Sequence, residues 1–409
     1  MNLKEDALRL HAKAKGKFAI RSKVPVSNKW ELSLAYSPGV AEPCKVIAQN
    51  PEESFRYTNR GNMVAVVSDG TAVLGLGNIG PEAALPVMEG KAILFKSFAD
   101  IDAIPLCLAT TDVDEVVETV VRLTPTFGGI NLEDISGPRC FEIERKLKER
   151  LEIPVFHDDQ HGTAVVCAAG LFNGLKLAGI ALEDAKIVIN GAGAAGYSIA
   201  MLLWHAGARR IRVCDTKGIL APGHCAGNSY QEELARLTNP QGEQGDLQQA
   251  LKGANVFIGV SVGNIVTREM VGSMAANPII FSMANPVPEI MPEEALAAGA
   301  FVVGTGRSDY PNQINNLLGF PGIFRGALDV RARQITEGMK IAAAHAIAGL
   351  VEPKDLNREY IIPNPFDRRV VPAVACAVAK AAMEEGVAKV KLNIAEYKEL
   401  LERRLSLND

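Results

Sequence analysis

The sequence predicts an α/β fold in which an N-terminal α/β domain, a second parallel-sheet domain and C-terminal helices follow one another. Three observations carry that expectation. Short apolar runs alternate with amphipathic helical stretches, the pattern of parallel strands covered on both faces. A glycine-rich turn joins one apolar run directly to a helix. Acidic residues end three of the runs in the first half.

The elements follow in order along the 409 residues. Residues 2–15 place Leu3, Ala7, Leu8 and Leu10 at helical spacing. Residues 16–36 read as irregular. Met63–Val67 and Val73–Leu76 read as two strands around a Ser-Asp-Gly turn. Pro81–Phe98 is rich in helix formers, Ile104–Leu108 reads as a buried strand, and Val113–Leu123 as a helix behind an Asp cap. A strand near Ile130 ends at Glu133-Asp134, helix 139–150 follows, and Val155-Phe156 is a brief strand ending at His157-Asp158-Asp159. The second half opens with a long helix over about 162–178. Strands are expected at 186–190, 210–215, 256–260, 279–281 and 301–303, with a glycine-started helix over 191–207. A polar surface loop with one short helix fills 221–247. Residues 325–349 and 367–386 read as long helices, and 393–405 as a charged amphipathic one. The expected domains are 1–160, 161–385 and a helical segment 386–409.

Composition narrows the function classes. Hydrophobic residues make up 48% and charged residues 22%, and the net charge is −4. No long basic run appears, which argues against nucleic acid as a partner. No stretch of about 18 uncharged apolar residues exists, so no membrane span is expected. The N-terminus has no apolar signal region. The seven cysteines form no CxxC pair, as expected of reduced thiols in the cytoplasm. His345 and His205 lie in apolar helical stretches and are expected in or near the core. Phe324-Arg325 and Arg331–Arg333 are expected at the surface or a subunit interface.

The glycine-rich turn has a specific chemistry. Lys186–Asn190 leads into Gly191-Ala192-Gly193-Ala194-Ala195-Gly196, a GxGxxG spacing between a strand and a helix. The first glycine makes the tight turn, the second admits a pyrophosphate, and the third allows close helix packing. The helix N-terminus then presents free N–H groups to the phosphates. Asp215 ends the next strand, 24 residues past Gly191, where a carboxylate accepts the ribose hydroxyls. The whole unit predicts a Rossmann-type dinucleotide domain. Asp215 favours NAD by repelling a 2′-phosphate, while Lys217 can offset that charge, so NAD and NADP both stay open.

Asp69-Gly70, Glu133-Asp134 and Asp158-Asp159 end expected strands, the place where ligands bind in parallel sheets. Carboxylates gathered there suit a hard divalent cation, Mg2+ or Mn2+. The competing reading makes them caps and turn formers. His157 and His161 lack an HExxH or cysteine context and read as supporting residues.

Several segments resemble malic enzymes. They are Leu34-Ala-Tyr36-Ser-Pro-Gly-Val40, Leu74-Gly-Leu-Gly-Asn-Ile-Gly80 with Met88-Glu-Gly-Lys91, and Asn131-Leu-Glu133-Asp134. Phe156-His-Asp-Asp159-Gln-His-Gly162, Ser282-Met-Ala-Asn285-Pro and Asp309-Tyr-Pro-Asn-Gln-Ile-Asn-Asn316 complete the set. Their order and number span about residues 8 to 380, and the length is similar to the compact bacterial or archaeal form. The resemblance implies oxidative decarboxylation of malate to pyruvate with NAD or NADP, with oxaloacetate decarboxylation as a side activity. It implies Glu133, Asp134 and Asp159 as metal ligands, Lys91 as general base and Tyr36 as general acid. Asn285 and Asn315 would contact malate or the nicotinamide end, and Ala192 to Ala195 the phosphates. Burial and the cation are expected to lower the Lys91 pKa from its ordinary value of about 10.4, so that it can act as a base. A homodimer is expected. Larger relatives carry an arginine ahead of the Leu-Gly-Leu-Gly run, where this chain has Thr71, Ala72 and Val73. Two rivals remain: a non-decarboxylating hydroxy-acid dehydrogenase, and an inactive dinucleotide-binding protein.

Overall fold

The computed structural model describes residues 3–73, 75–225 and 228–406. Two sheets organise the chain. The first has the order β2-β1-β3-β4, built from Asp102–Cys107 (β2), Met63–Ser68 (β1), Gly129–Leu132 (β3) and Val155–His157 (β4), all parallel. The second has the order β10-β9-β8-β5-β6-β7. Its strands are Lys186–Asn190 (β5), Arg210–Asp215 (β6), Gly218–Ile219 (β7), Val256–Gly259 (β8), Ile279–Ser282 (β9) and Val302–Thr305 (β10). Only β7 among these described strands runs antiparallel.

Alternation along the strands assigns the faces. Val64 and Val66 of β1 point into a large core shared with helices Pro81–Ala99, Thr163–Ala178, Phe320–Asp329 and Val370–Glu384. Ala65 and Val67 point the other way, onto Val116, Val120, Ile143 and Leu147. The first core therefore runs through both sheets, and helix Thr163–Ala178 is its central member, with eleven of its residues buried. Because β6 and β8 flank β5 on opposite sides, the strand order reverses at β5. The crevice beyond that reversal is where ligands bind in such sheets.

Most expected elements stand where the periodicity put them. Helix Val113–Leu123 is capped by Asp112, whose carboxylate accepts from the Asp114 and Glu115 amides at 2.9 Å. Helix Arg139–Arg150, β5 and β6 match to the residue.

Five expectations need correction. Residues 16–36 are not all irregular: Lys29–Ala35 is helical, started by Asn28 accepting from the Glu31 amide. Val73–Leu76 is no strand in what is described. Val73 makes a lone bridge to Gly77, and Gly75 and Gly77 take φ of 94° and 75°, which turns the chain; Leu74 lies outside the described residues. Residues 325–349 are two helices, Phe320–Asp329 and Glu337–Gly349. Arg331 adopts φ 50° between them, and Thr336 caps the second by accepting from the Met339 amide. Arg325 is not on the surface but 1% exposed, bonding Asp329 at 2.8 Å and Asn62 at 2.6 Å. Arg331 is half-buried over the Phe55 ring. Finally, His205 and His345 are exposed, His345 stacking on Phe172.

The last helix, Ile394–Ser406, returns to the first sheet. Arg404 donates to Asp100 at 2.7 Å and to Asn62 at 2.9 Å. No helix among the described residues is long and apolar enough to cross a membrane.

Candidate active site

β3 and β4 pair in parallel with Leu132 opposite His157, so the residues that follow each strand emerge side by side. After β3 come Glu133 and Asp134. After β4 the chain does not enter an α-helix directly. It makes a π turn over Asp158–Gly162 and only then begins helix Thr163–Ala178. Such one-turn insertions re-aim side chains and are frequent at functional sites. Asp134 takes the left-handed conformation, φ 54°, and its amide donates to Asp159 Oδ2 at 2.8 Å. The result is a cluster: one carboxylate oxygen from each of Glu133, Asp134 and Asp159 lies within 4.8 Å of the others.

The cluster is electrostatically costly as it stands. Burial pushes the Glu133 carboxyl up, and burial pushes Asp159 up to about 6 and Asp158 to about 7. Buried oxygens without a hydrogen-bond partner remain there, Asn131 Oδ1 and Asp158 Oδ1. Three convergent carboxylates with spare lone pairs fit a hard divalent cation.

Lys91 lies against this cluster. It sits on helix Pro81–Ala99, 8% exposed, with Nζ 2.6 Å from Asp158 and 2.8 Å from Glu133, over the face of Phe320. Here one expectation is overturned for the metal-free protein. Burial by itself lowers the Lys91 pKa, but the Asp158 and Glu133 carboxylates outweigh it and hold the ammonium above the ordinary lysine range. Asn316 donates to the same Asp158 oxygen at 2.7 Å.

A second layer fixes the π turn. Glu144, 6% exposed, accepts from the His157 amide at 3.2 Å and from His161 Nε2 at 2.9 Å. Burial pushes His161 down to about 4, so the ring is neutral near pH 7. Its Nδ1 lies 3.1 Å from Lys340 Nζ, which assigns the proton to Nε2. His161 is thus held through its ring by Glu144 and Lys340, whereas His157 meets Glu144 through its amide.

The second sheet supplies a groove of about 800 Å³ at the end of β5. Gly191, Ala192, Gly193, Ala194, Asp215 and Lys217 line it. Gly191 takes φ 115°, and a Cβ on Gly196 would stand 1.7 Å from the Gly191 carbonyl oxygen, so neither position accepts a side chain. Ala195 and Gly196 do not line the groove; they form the first turn of helix Ala194–His205. That helix packs on the π turn, with Ser198 Oγ 3.4 Å from Gln160 Oε1, so groove and carboxylate cluster share a wall.

Family models match almost the whole chain: malic enzyme, N-terminal domain, over residues 15–148, and malic enzyme, NAD binding domain, over 160–383. The chain belongs to the malic enzyme family. A bifunctional malic/malolactic enzyme of Bacillus subtilis (strain 168) is 62% identical over 400 residues, 98% of each chain. The crystal structure of malic enzyme from Pyrococcus horikoshii Ot3 superposes with a TM-score of 0.96 at 48% identity, covering 99% of this chain and 96% of that one. The NAD-dependent malic enzyme structure from Thermotoga maritima gives 0.88 at 52% identity, over 91% and 99%.

Within this malic enzyme, the residues singled out from sequence divide into three groups. Lys91, Glu133, Asp134 and Asp159 converge. Asn285 follows β9 and faces the glycine loop, its carbonyl oxygen 3.0 Å from where a Gly75 Cβ would stand. Asn315 caps the turn Asn316–Leu318, its side-chain oxygen accepting from the Leu317 amide at 2.9 Å. Tyr36 stands apart: it is 69% exposed. Asp69 is also outside the cluster, bound to Thr71 at 2.6 Å and Arg139 at 2.8 Å. Sequence reasoning gave no role to two groups of the Lys91 environment: Asp158, named there only with Asp159 as a strand-end acid, and Asn316. Each is adjacent to a residue it did select, and only the π turn and the capping role of Asn315 decide which neighbour points inward.

Asp215 offers a direct test. Its Oδ1 accepts from the Lys217 amide at 2.7 Å, which holds the carboxylate at the groove. Asp215→Ala removes the charge that repels a 2′-phosphate. The ratio of kcat/KM for NADP to that for NAD should rise on the order of tenfold in steady-state assays with both cofactors.

Proposed function

We propose that this chain oxidises (S)-malate to pyruvate and CO2, reducing NAD or NADP, with Mg2+ or Mn2+ held by Glu133, Asp134 and Asp159. The observation that carries the reading is the carboxylate cluster with Lys91 against it, one helix away from the dinucleotide groove. Held there, a cation would supply positive charge for the substrate oxygen, and a dinucleotide in the groove would supply the hydride acceptor. The chain's own groups do the rest. Lys91 Nζ takes the proton of the C2 hydroxyl; Asp158 holds Nζ in place, and Asn316 holds Asp158. Glu133 pairs with Lys91, so a cation held by Glu133 would compete for a carboxylate that keeps the ammonium protonated. Once CO2 has left, the Tyr36 hydroxyl gives a proton to C3, and Lys91 re-supplies it. Asn285 and Asn315 contact malate or the nicotinamide end, and Gly191 to Ala194, which line the groove, meet the phosphates through the backbone.

The test is CO2 release from malate with each dinucleotide, before and after chelation. EDTA should abolish turnover, and added Mn2+ should restore it. Oxidation of malate without CO2 would support the non-decarboxylating dehydrogenase instead, and cofactor binding without turnover the inactive protein. Added oxaloacetate should also lose CO2 in a metal-dependent way. The Bacillus subtilis relative's name further motivates an assay for lactate from malate, in which pyruvate is reduced by the NADH formed before either leaves.

All seven cysteines are free thiols, which supports a cytoplasmic setting. The division near residue 160 is kept as the domain boundary, supported by the two sheets that flank it. We assign a homodimer as the working state.

A further inference from the structure

We propose that Glu289 is a positioning residue for hydride transfer: buried behind the groove, its carboxylate holds Ser261 and Asn285 at the place where the nicotinamide ring meets the substrate. The inference rests on the malate oxidation proposed above and adds to it a residue walled off from the groove itself. It is carried by what this carboxylate gathers.

Strand order fixes the direction of the dinucleotide. Asp215 ends β6, the glycine turn follows β5, and Ser261 and Val262 line the groove just past β8. A dinucleotide with its ribose at Asp215 and its phosphates at the glycine turn therefore lays its nicotinamide end over the ends of β8 and β9. Glu289 stands behind those two ends, 0% exposed. Its Oε1 accepts from the Ser261 amide at 2.9 Å, and its Oε2 accepts from the amide of Ala284, the neighbour of Asn285, at 3.1 Å. The Ser261 hydroxyl donates to Oε1 at 3.4 Å and accepts from Asn190 Nδ2 at 2.7 Å, which ties in the end of β5. One carboxylate thus joins the ends of β5, β8 and β9, which are neighbours in the sheet.

The arrangement is built around an acid with no counter-ion. Among the described residues no lysine, arginine or histidine pairs with Glu289; amides and a hydroxyl hold it, against burial that pushes its carboxyl up. Both oxygens are in use as acceptors. A glutamine would turn an NH2 toward the Ser261 or the Ala284 N–H, donor facing donor. The surroundings are shaped to admit the acid: a Cβ on Gly259 would stand 2.3 Å from Glu289 Cδ. The loops after β8 and β9 are also tied to each other. The Val266 amide donates to the Glu289 carbonyl and the Asn264 amide to the Pro288 carbonyl, each at 3.0 Å. Asn285 in turn fits between Gly306 and the glycine loop of the first domain. A Cβ on Gly306 would stand 2.9 Å from its Nδ2, and one on Gly75 would stand 3.0 Å from its carbonyl oxygen. A shift at Glu289 is therefore passed to Ser261 and Asn285. It is not passed to Lys91, Glu133, Asp134 or Asp159, which stand on helix Pro81–Ala99 and at the strand ends of the first sheet.

Two activities of one preparation decide it. Glu289→Gln is assayed as the full chain with Mn2+, on malate with NAD or NADP and on oxaloacetate without dinucleotide. Oxidation needs the nicotinamide in place, and decarboxylation of oxaloacetate does not. Malate turnover should fall on the order of 10²-fold, the cost of a misplacement of about 1 Å, while oxaloacetate decarboxylation stays at the wild-type rate. A carboxylate with a structural role alone would lower both rates by one factor, through the fraction folded. An unchanged ratio of the two rates would therefore overturn the proposal. If the glutamine variant does not fold, Ser261→Ala takes its place, because it keeps the carboxylate and both amides and removes only the hydroxyl between Asn190 and Glu289. The ratio of malate to oxaloacetate turnover should drop there as well, and a wild-type ratio would count against Glu289 in the same way. A wild type that does not oxidise malate removes the reading underneath, whereas an active wild type beside a variant of unchanged ratio removes only the role of Glu289.

Discussion

Lys91→Ala should lower malate oxidation by about 10²- to 10⁴-fold in kcat, the usual worth of a positioned general base. Dinucleotide affinity should stay within experimental error, because the groove residues Gly191 to Ala194 and Asp215 do not touch Lys91. Steady-state kinetics together with NADH fluorescence titration checks both halves. The variant should carry a second signature. Lys91 lies 2.6 Å from Asp158 and 2.8 Å from Glu133, all three buried. Removing the ammonium leaves two buried carboxylates without their counter-charge, a loss of about 3–5 kcal/mol when one partner of a buried pair is removed. The metal-free variant should therefore melt below the metal-free wild type, and Mn2+ should narrow the gap by supplying positive charge to Glu133. Undiminished turnover would take Lys91 out of the chemistry, and an unchanged metal-free melt would contradict its role as the counter-ion.

Asp159→Asn has the second-largest expected effect, and it falls on the cation. The substitution keeps the shape of the side chain and its acceptor for the Asp134 amide, but it removes one of three converging charges. Mn2+ affinity should fall by more than about 10-fold, the least that loss of even a partner behind a ligand costs, measured by calorimetry on chelator-stripped protein. The pH dependence has a definite sign. Burial raises the Asp159 carboxyl to about 6, and a ligand must be deprotonated to bind. Mn2+ affinity of the wild type should therefore increase as pH rises through about 6 and fall by roughly tenfold per unit below it. The Asn variant has no such proton at position 159, so its affinity should be flatter across that window. A wild-type affinity indifferent to pH between 5 and 7 would contradict the assignment.

Much of this was legible in the sequence, for identifiable reasons. Residues 186–196 and 215 carry a strand, a glycine turn, a helix and an acid at fixed spacing, and each is dictated locally by backbone sterics or by phosphate chemistry. The structure reproduces both strands to the residue, and the helix expected over 191–207 runs from Ala194 to His205. Acids at strand ends likewise converge because parallel pairing brings the ends of β3 and β4 together.

What was not legible depends on long-range geometry. The π turn over Asp158–Gly162 has no spacing signature, yet it sends Asp158 to Lys91 and Asp159 to the cation ligands. The charge state of Lys91 follows from two partners 42 and 67 positions away, so burial alone gave the wrong direction for the metal-free protein. Arg325 looked like a surface residue because charged residues usually are. Its burial is permitted by Asp329 one turn on and by Asn62 from the other end of the chain. The missed helix Lys29–Ala35 did have a local signal, an Asn cap three residues before Glu31, but the prolines around it masked the segment as loop. Exposed apolar residues on that same helix stand out only once the fold shows that none of the described residues covers them.

The central claim is that Glu133, Asp134 and Asp159 together hold one divalent cation. A crystal soaked in manganese and measured at the manganese absorption edge tests it most directly. The account predicts a single strong anomalous peak per chain, within bonding distance of all three carboxylates. A cluster left without a peak, or a peak bound by other residues while these three stay apart, would contradict it.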